Sequence, residues 1–167
     1  MVISLTGFMG CGKSTVGKIL ADSLGRDFVD LDMYVEHKKG MSIPRFIEAE
    51  GEEAFRMIEA DCIRDIVTMS EIRDRDVVVA LGGGTLATTS VQKLILDRTL
   101  CIHLKASFGT ICDRIGKDTA TRPLFRNMEA AAALYAERLP IYGKAPVTID
   151  TDGLTPEETA RKITLTI

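Results

Sequence analysis

Apolar residues along the chain alternate between two spacings. Runs rich in apolar residues at Val2-Ile3-Ser4-Leu5-Thr6 and Leu100-Cys101-Ile102-His103-Leu104 read as strands, and the continuous apolar run Val77-Val78-Val79-Ala80-Leu81 reads as a strand covered on both faces. Between them, apolar positions recur every three or four residues. In 14–24, Val16, Ile19, Leu20 and Leu24 share one helical face. The pattern predicts strands at 2–6, 26–30, 76–81, 99–104 and 146–150. It predicts helices at about 14–24, 32–39, 43–69, 88–97, 107–115 and 128–139, with a polar segment at 116–126. A last helix opens at Thr155-Pro156-Glu157-Glu158, where Thr155 suits a cap and proline suits the first helical position. Strands and helices in alternation imply an α/β architecture, a mostly parallel sheet between helices. Ligands in such sheets collect at the carboxyl ends of the strands.

Composition narrows the partners. The 167 residues fit one domain, 1–167, and the net charge of −3 argues against a nucleic-acid surface and for small anionic partners. Cys11, Cys62, Cys101 and Cys112 lack a Cys-x-x-Cys spacing and read as reduced thiols of a cytoplasmic protein. The amino-terminal residues lack the layout of a signal peptide, and no apolar run approaches the ~20 residues of a membrane span.

The most informative segment is Gly7-Phe8-Met9-Gly10-Cys11-Gly12-Lys13-Ser14, which fits G-x-x-x-x-G-K-[ST] between a strand and a helix. In that setting backbone N–H groups of Gly10, Cys11 and Gly12 turn toward phosphates, with the helix amino terminus behind them. Lys13 brings a charge to the β- and γ-phosphates, and Ser14 offers a hydroxyl to Mg²⁺. Thr15 continues the motif. The segment predicts binding of a nucleoside triphosphate.

Other candidates follow the predicted strands. Asp30 and Asp32 are two residues apart; in extended backbone they face one way, about 6–7 Å apart. One carboxylate then serves a water on the metal, and the other a substrate hydroxyl. A simpler reading has one of them capping the next helix. Gly82-Gly83-Gly84 allows backbone to approach a bound anion or polyol closely. Arg56, Arg122 and Arg138 offer forks suited to carboxylate or phosphate, and Glu59 lies one helical turn from Arg56. His37 and His103 read as an ordinary helix residue and an ordinary strand residue.

Taken together, Gly-Phe-Met-Gly-Cys-Gly-Lys-Ser-Thr from Gly7, Asp30-Leu31-Asp32, Ser42-Ile43 through Gly51-Glu52 to Phe55-Arg56-Met57-Ile58-Glu59, Gly82-Gly83-Gly84, Arg122-Pro123-Leu124 and Arg138-Leu139-Pro140-Ile141-Tyr142 resemble shikimate kinase, in register to about residue 143. The resemblance implies a P-loop NTPase-type three-layer sandwich of the nucleoside-monophosphate-kinase kind. Its five-stranded parallel sheet carries a substrate region at about 31–60 and a mobile lid at about 116–126. It also implies transfer of phosphate from ATP, with Mg²⁺, to the shikimate 3-hydroxyl, in aromatic amino-acid (chorismate) biosynthesis. Lys13, Asp32 and Arg122 become the catalytic residues, with Ser14 and, through water, Asp30 on the metal side. Gly10, Cys11, Gly12, Lys13, Ser14, Thr15, Arg114, Arg122 and Pro156 would hold ATP, Arg114 and Pro156 flanking the adenine. Asp32, Arg56, Gly82, Gly83, Gly84 and Arg138 would hold shikimate. The expected partners are these two small molecules, with no nucleic acid or membrane, and the expected state is a cytoplasmic monomer. Two alternatives stand beside this reading: a related polyol or sugar-acid kinase of the gluconate type, and a regulatory module that binds nucleotide without turnover.

Overall fold

A computed structural model describes residues 1–116 and 123–167. Five strands, β1 (Val2–Thr6), β2 (Asp27–Asp30), β3 (Val77–Ala80), β4 (Leu100–Lys105) and β5 (Val147–Asp150), form one parallel sheet in the order β2-β3-β1-β4-β5. β1 is central and buried along its whole length, its polar Ser4 and Thr6 included.

Alternate side chains of the strands enter two separate cores. Val2, Val77, Val79 and Cys101 point to a face covered by α2 (Leu31–Lys39), α3 (Ile43–Glu50), α4 (Glu52–Arg73) and α5 (Thr89–Arg98). Ile3, Leu5, Val78, Ile102 and Leu104 point to the other face, covered by α1 (Lys13–Leu24), α6 (Phe108–Ile115), α7 (Met128–Tyr142) and α8 (Pro156–Thr166). The expected three-layer α/β sandwich is therefore present, and each fully buried Leu or Ile side chain in it contributes about 1.5–3 kcal/mol.

This layering opens the site. β1 and β3 are neighbours, but α1 leaves β1 toward one face while α5, after a 3-10 turn at Thr85–Ala87, leaves β3 toward the other. The loops that follow the two strands separate at the carboxyl edge and leave a crevice, as expected where connections diverge.

Three elements differ from the sequence pattern by more than a frayed end. The helical stretch 43–69 is two helices, because Gly51, at φ 90° and ψ 163°, takes a conformation that other residues rarely adopt. The second of them runs on to Arg73. α7 continues past residue 139 to Tyr142 with Pro140 inside it; the proline removes an N–H donor but sits in the last turn, where the helix is ending. Asp30 and Asp32 do not share extended backbone. Asp30 ends β2 and caps α2, accepting from the Met33 N–H at 3.3 Å, and Asp32 lies in the first helical turn. The capping reading of Asp30 and its placement beside the phosphate loop both hold.

Candidate active site

The loop after β1 bends back on itself, the Cys11 N–H donating to the Phe8 carbonyl at 3.2 Å. Gly12, at φ 100°, turns the chain into α1. Lys13 is nearly buried and folds over its own loop, its Nζ donating to the carbonyls of Gly7 at 2.8 Å and Phe8 at 3.1 Å. Ser14 Oγ donates to Asp30 Oδ2 at 2.5 Å. Phe8 anchors the loop by packing edge-on to Tyr135, with ring centroids 5.4 Å apart, and to Phe125 at 6.3 Å.

That packing changes one expectation. The segment 116–126 is not a free polar loop throughout. Pro123–Arg126 forms a 3-10 turn whose Phe125 is buried and also stacks on Phe108 at 6.2 Å. A hydrophobic ring pinned between two others fixes the end of the expected lid. Residues 117–122, including the candidate Arg122, lie outside the described residues.

Gly82, Gly83 and Gly84 after β3 serve as the meeting point of the remaining candidates. A Cβ at Gly82 would stand 2.7 Å from Asp32 Oδ1, 3.0 Å from Thr85 Oγ1 and 3.4 Å from Glu59 Oε1. A Cβ at Gly84 would stand 2.5 Å from Arg56 Nη2 and 3.1 Å from Arg138 Nη1. The glycines' lack of side chains thus lets three acidic and hydroxyl groups and two guanidinium groups close around one turn. Arg138 donates to the Gly83 carbonyl at 2.7 Å, and Tyr142, one helical turn later, donates to the same oxygen at 2.6 Å. Arg56 lies over the Phe55 ring at 5.0 Å and donates to Glu59 Oε2 at 2.9 Å, as the spacing predicts.

Electrostatics follow from this crowding. Burial, reinforced by the neighbouring carboxylates of Asp30 and Glu59 and more weakly by Glu36, pushes the Asp32 carboxyl from 3.8 to about 6, against the pull of Lys13. Burial, with Lys105 and Lys13 nearby, lowers His103 to about 4, so this imidazole is neutral at physiological pH.

A cleft of about 830 Å³ joins the phosphate loop, Asp30, Asp32, Gly82 and Gly83 to Arg114 and Pro156. Arg114 is held by its donations to the carbonyls of Cys11 and Thr151, both at 3.0 Å. It ties the phosphate loop to the segment before α8, which begins at Thr155 with a reciprocal capping box to Glu158. Arg56, Gly84 and Arg138 adjoin this cleft through Gly83 rather than lining it. The motif Arg138-Leu139-Pro140-Ile141-Tyr142 contained Tyr142 without giving it a role, and Thr85 directly follows the glycine motif. The place of Tyr142, four residues after Arg138, is the signal for it. Thr151 carries no such signal, because its link to Arg114 depends on the fold.

Comparison with known proteins adds independent findings. The sequence model of the family described as Shikimate kinase matches residues 9–167. A shikimate kinase of Thermus thermophilus is 40% identical over 164 residues, covering 96% of this chain and 86% of the relative. That of Bacillus subtilis is 36% identical over 167 residues, covering 99% and 88%. The solved structure of shikimate kinase from Acinetobacter baumannii in complex with shikimate superposes with a TM-score of 0.87 at 31% identity, covering 99% of this chain and 91% of that one.

Proposed function

We propose that this chain, which belongs to the shikimate kinase family, transfers the γ-phosphoryl group of ATP to the 3-hydroxyl of shikimate, giving ADP and shikimate 3-phosphate. The observation that carries the assignment of roles is the convergence of Asp32, Arg56 and Arg138 on the Gly82–Gly84 turn, beside a phosphate loop with Lys13 and Ser14. An acid beside two guanidinium groups suits an acceptor that carries both hydroxyls and a carboxylate.

In this reading Arg56 and Arg138 clamp the acceptor carboxylate, and Gly82, Gly83 and Gly84 let its ring lie against backbone. Asp32 accepts a hydrogen bond from the attacking hydroxyl and receives its proton as the new O–P bond forms and the bond from γ-phosphorus to the ADP oxygen breaks. Phosphoryl transfer has a loose transition state, so alignment by Asp32 matters at least as much as basicity. Lys13 exchanges its two loop carbonyls for phosphate oxygens, while Gly10, Cys11, Gly12 and Thr15 cradle the phosphates. Arg114 and Pro156 flank the adenine.

Ser14 and Asp30 fit a magnesium ion. They are hard oxygen donors side by side at the phosphate loop, and Mg²⁺ prefers such oxygens while keeping most of its water and phosphate ligands. Ser14 would bind it directly and Asp30 through water; when bound, the ion neutralises charge on the β- and γ-oxygens. Arg122 is read from the sequence as the lid arginine that covers the phosphates. We further place the whole chain, 1–167, as one kinase domain with its acceptor region at about 31–60 and its lid at about 116–126, acting as a monomer in the cytoplasm. Among the described residues no helix is long and apolar enough to cross a membrane.

The test is ADP release by purified protein with Mg²⁺ and ATP, with shikimate, quinate, gluconate or no acceptor. A steep rise with shikimate alone is the expected outcome. A rise with gluconate instead moves the acceptor assignment, and nucleotide binding without turnover on any acceptor overturns the kinase reading.

A further inference from the structure

Glu59 is a carboxylate with no exposed surface, which is tolerable only if both of its oxygens are matched. One oxygen, Oε2, accepts from Arg56. The other, Oε1, accepts from the hydroxyl of Thr85, which is itself fully buried. Thr85 stands 26 residues further along the chain and directly after the glycine turn. A threonine at the start of a helical turn commonly bonds to its own nearby backbone; here the hydroxyl reaches across to the acid instead.

Arg56 has a second carboxylate within reach. Glu52, exposed on the same helix, lies 3.4 Å from Nη2 and draws the guanidinium outward, whereas Glu59 holds it inward against Gly84. The position of the fork therefore depends on how firmly Glu59 is held. We propose that Thr85 is a positioning residue for the acceptor clamp: its hydroxyl fixes the buried Glu59 carboxylate, and Glu59 aims Arg56 at the acceptor's carboxylate. The proposal rests on the acceptor-clamp reading above.

Without the hydroxyl, Glu59 Oε1 is left with an unmatched lone pair in a buried site, and the carboxylate rotates. Arg56 then loses its inner partner and follows Glu52. The consequence is specific to ligands with a negative charge at the clamp.

The experiment is calorimetric titration of the full chain with shikimate and with its uncharged methyl ester, together with steady-state kinetics. Wild type, Thr85→Val and Thr85→Ser are compared, with Thr85→Ala used if the valine variant is not recovered folded. Removing the hydroxyl should weaken binding of the acid about tenfold and leave the ester within twofold, the size expected for one unmatched buried acceptor. The KM for shikimate should rise by a similar factor, with kcat and the KM for ATP within twofold, and Thr85→Ser should restore the wild-type values. Equal weakening of acid and ester, or no weakening of either, overturns the role of Thr85 while leaving the clamp intact. A wild-type protein that binds acid and ester equally overturns the clamp reading itself and this proposal with it.

Discussion

Replacing Asp32 by asparagine should stabilise the ligand-free protein while disabling it. The Asp32 carboxyl is raised from 3.8 to about 6, burial being the largest cause and the carboxylates of Asp30 and Glu59 the next. A group whose folded pKa is raised binds its proton more tightly in the folded state. Between pH 4 and 6 the native protein therefore holds more protons than the unfolded chain, and stability falls as pH rises. At 1.36 kcal/mol for each pH unit, ionised Asp32 costs the fold about 3 kcal/mol at neutral pH. An asparagine side chain at this position would have nearly the same shape, no charge, and an amide that donates toward the two neighbouring acids. Differential scanning calorimetry at pH 7.5 should show the Asp32→Asn variant melting about 5–10 °C above wild type, the range expected for a domain of this size. At pH 4, where Asp32 is protonated in the folded protein, the two should melt together. In parallel, kcat/KM for shikimate in the wild type should fall on the acid side, because the raised Asp32 carboxyl takes up its proton there. A variant no more stable than wild type at pH 7.5, or a gain of equal size at pH 4, would refute the electrostatic account of Asp32.

Three further outcomes are expected. Lys13→Met should remain folded by circular dichroism yet lose at least ~10²-fold in kcat, because the charge that meets the developing phosphoryl oxygens is gone; turnover near the wild-type rate would remove Lys13 from the mechanism. Gly84→Ala places a methyl 2.5 Å from Arg56 Nη2, and the flexible arginine rather than the backbone must yield. Its melting temperature should hold while the KM for shikimate rises by about 10–100-fold and the KM for ATP does not. Gly17→Ala meets the ring of Phe28 at 2.6 Å, between α1 and β2, so urea unfolding should show a loss of about 1–3 kcal/mol from overpacking, with KM values unchanged in the folded fraction.

The alternation of elements and the phosphate loop are legible in the sequence because both are local: an apolar run, a period of 3.6, a glycine-rich turn between them. The Arg56–Glu59 pair is legible for the same reason, being one turn apart on a helix. The strand order is not, since it places β3 between β1 and β2 through contacts that no local pattern records. The geometry at Asp30 and Asp32 departs from the extended reading because strand and helix signals overlap there. Asp30 pairs with Ala80 in the sheet and caps α2 at the same time, so the chain turns helical one residue earlier than the apolar pattern implies. Phe125 falls within a polar stretch of sequence, and its burial comes from Phe8 and Phe108, both distant along the chain. The site residues from separate elements meet only because β2, β3 and β1 end side by side.

Those neighbouring strand ends bring together groups whose charges would be costly in a dry crevice, and most of them already have internal partners. Lys13 is paired with the Gly7 and Phe8 carbonyls, Ser14 with Asp30, Arg56 with Glu59, and Arg138 with the Gly83 carbonyl. In the proposed mechanism, binding of nucleotide is thus an exchange of partners at Lys13 and Ser14 rather than the filling of unmet valences, and each exchange returns less free energy than a bond made from nothing. A ligand that supplies only part of the complementary charge leaves some of these internal pairs intact. Asp32 differs from the rest: among the described residues no hydrogen bond reaches its carboxyl, and burial and neighbouring charge raise it. It is the acid with most to gain from an incoming hydroxyl donor. Under the proposed function, the acceptor that best relieves the site is therefore one that presents a hydroxyl to Asp32 while its carboxylate occupies Arg56 and Arg138, and an acceptor lacking either group should lose discrimination as well as affinity.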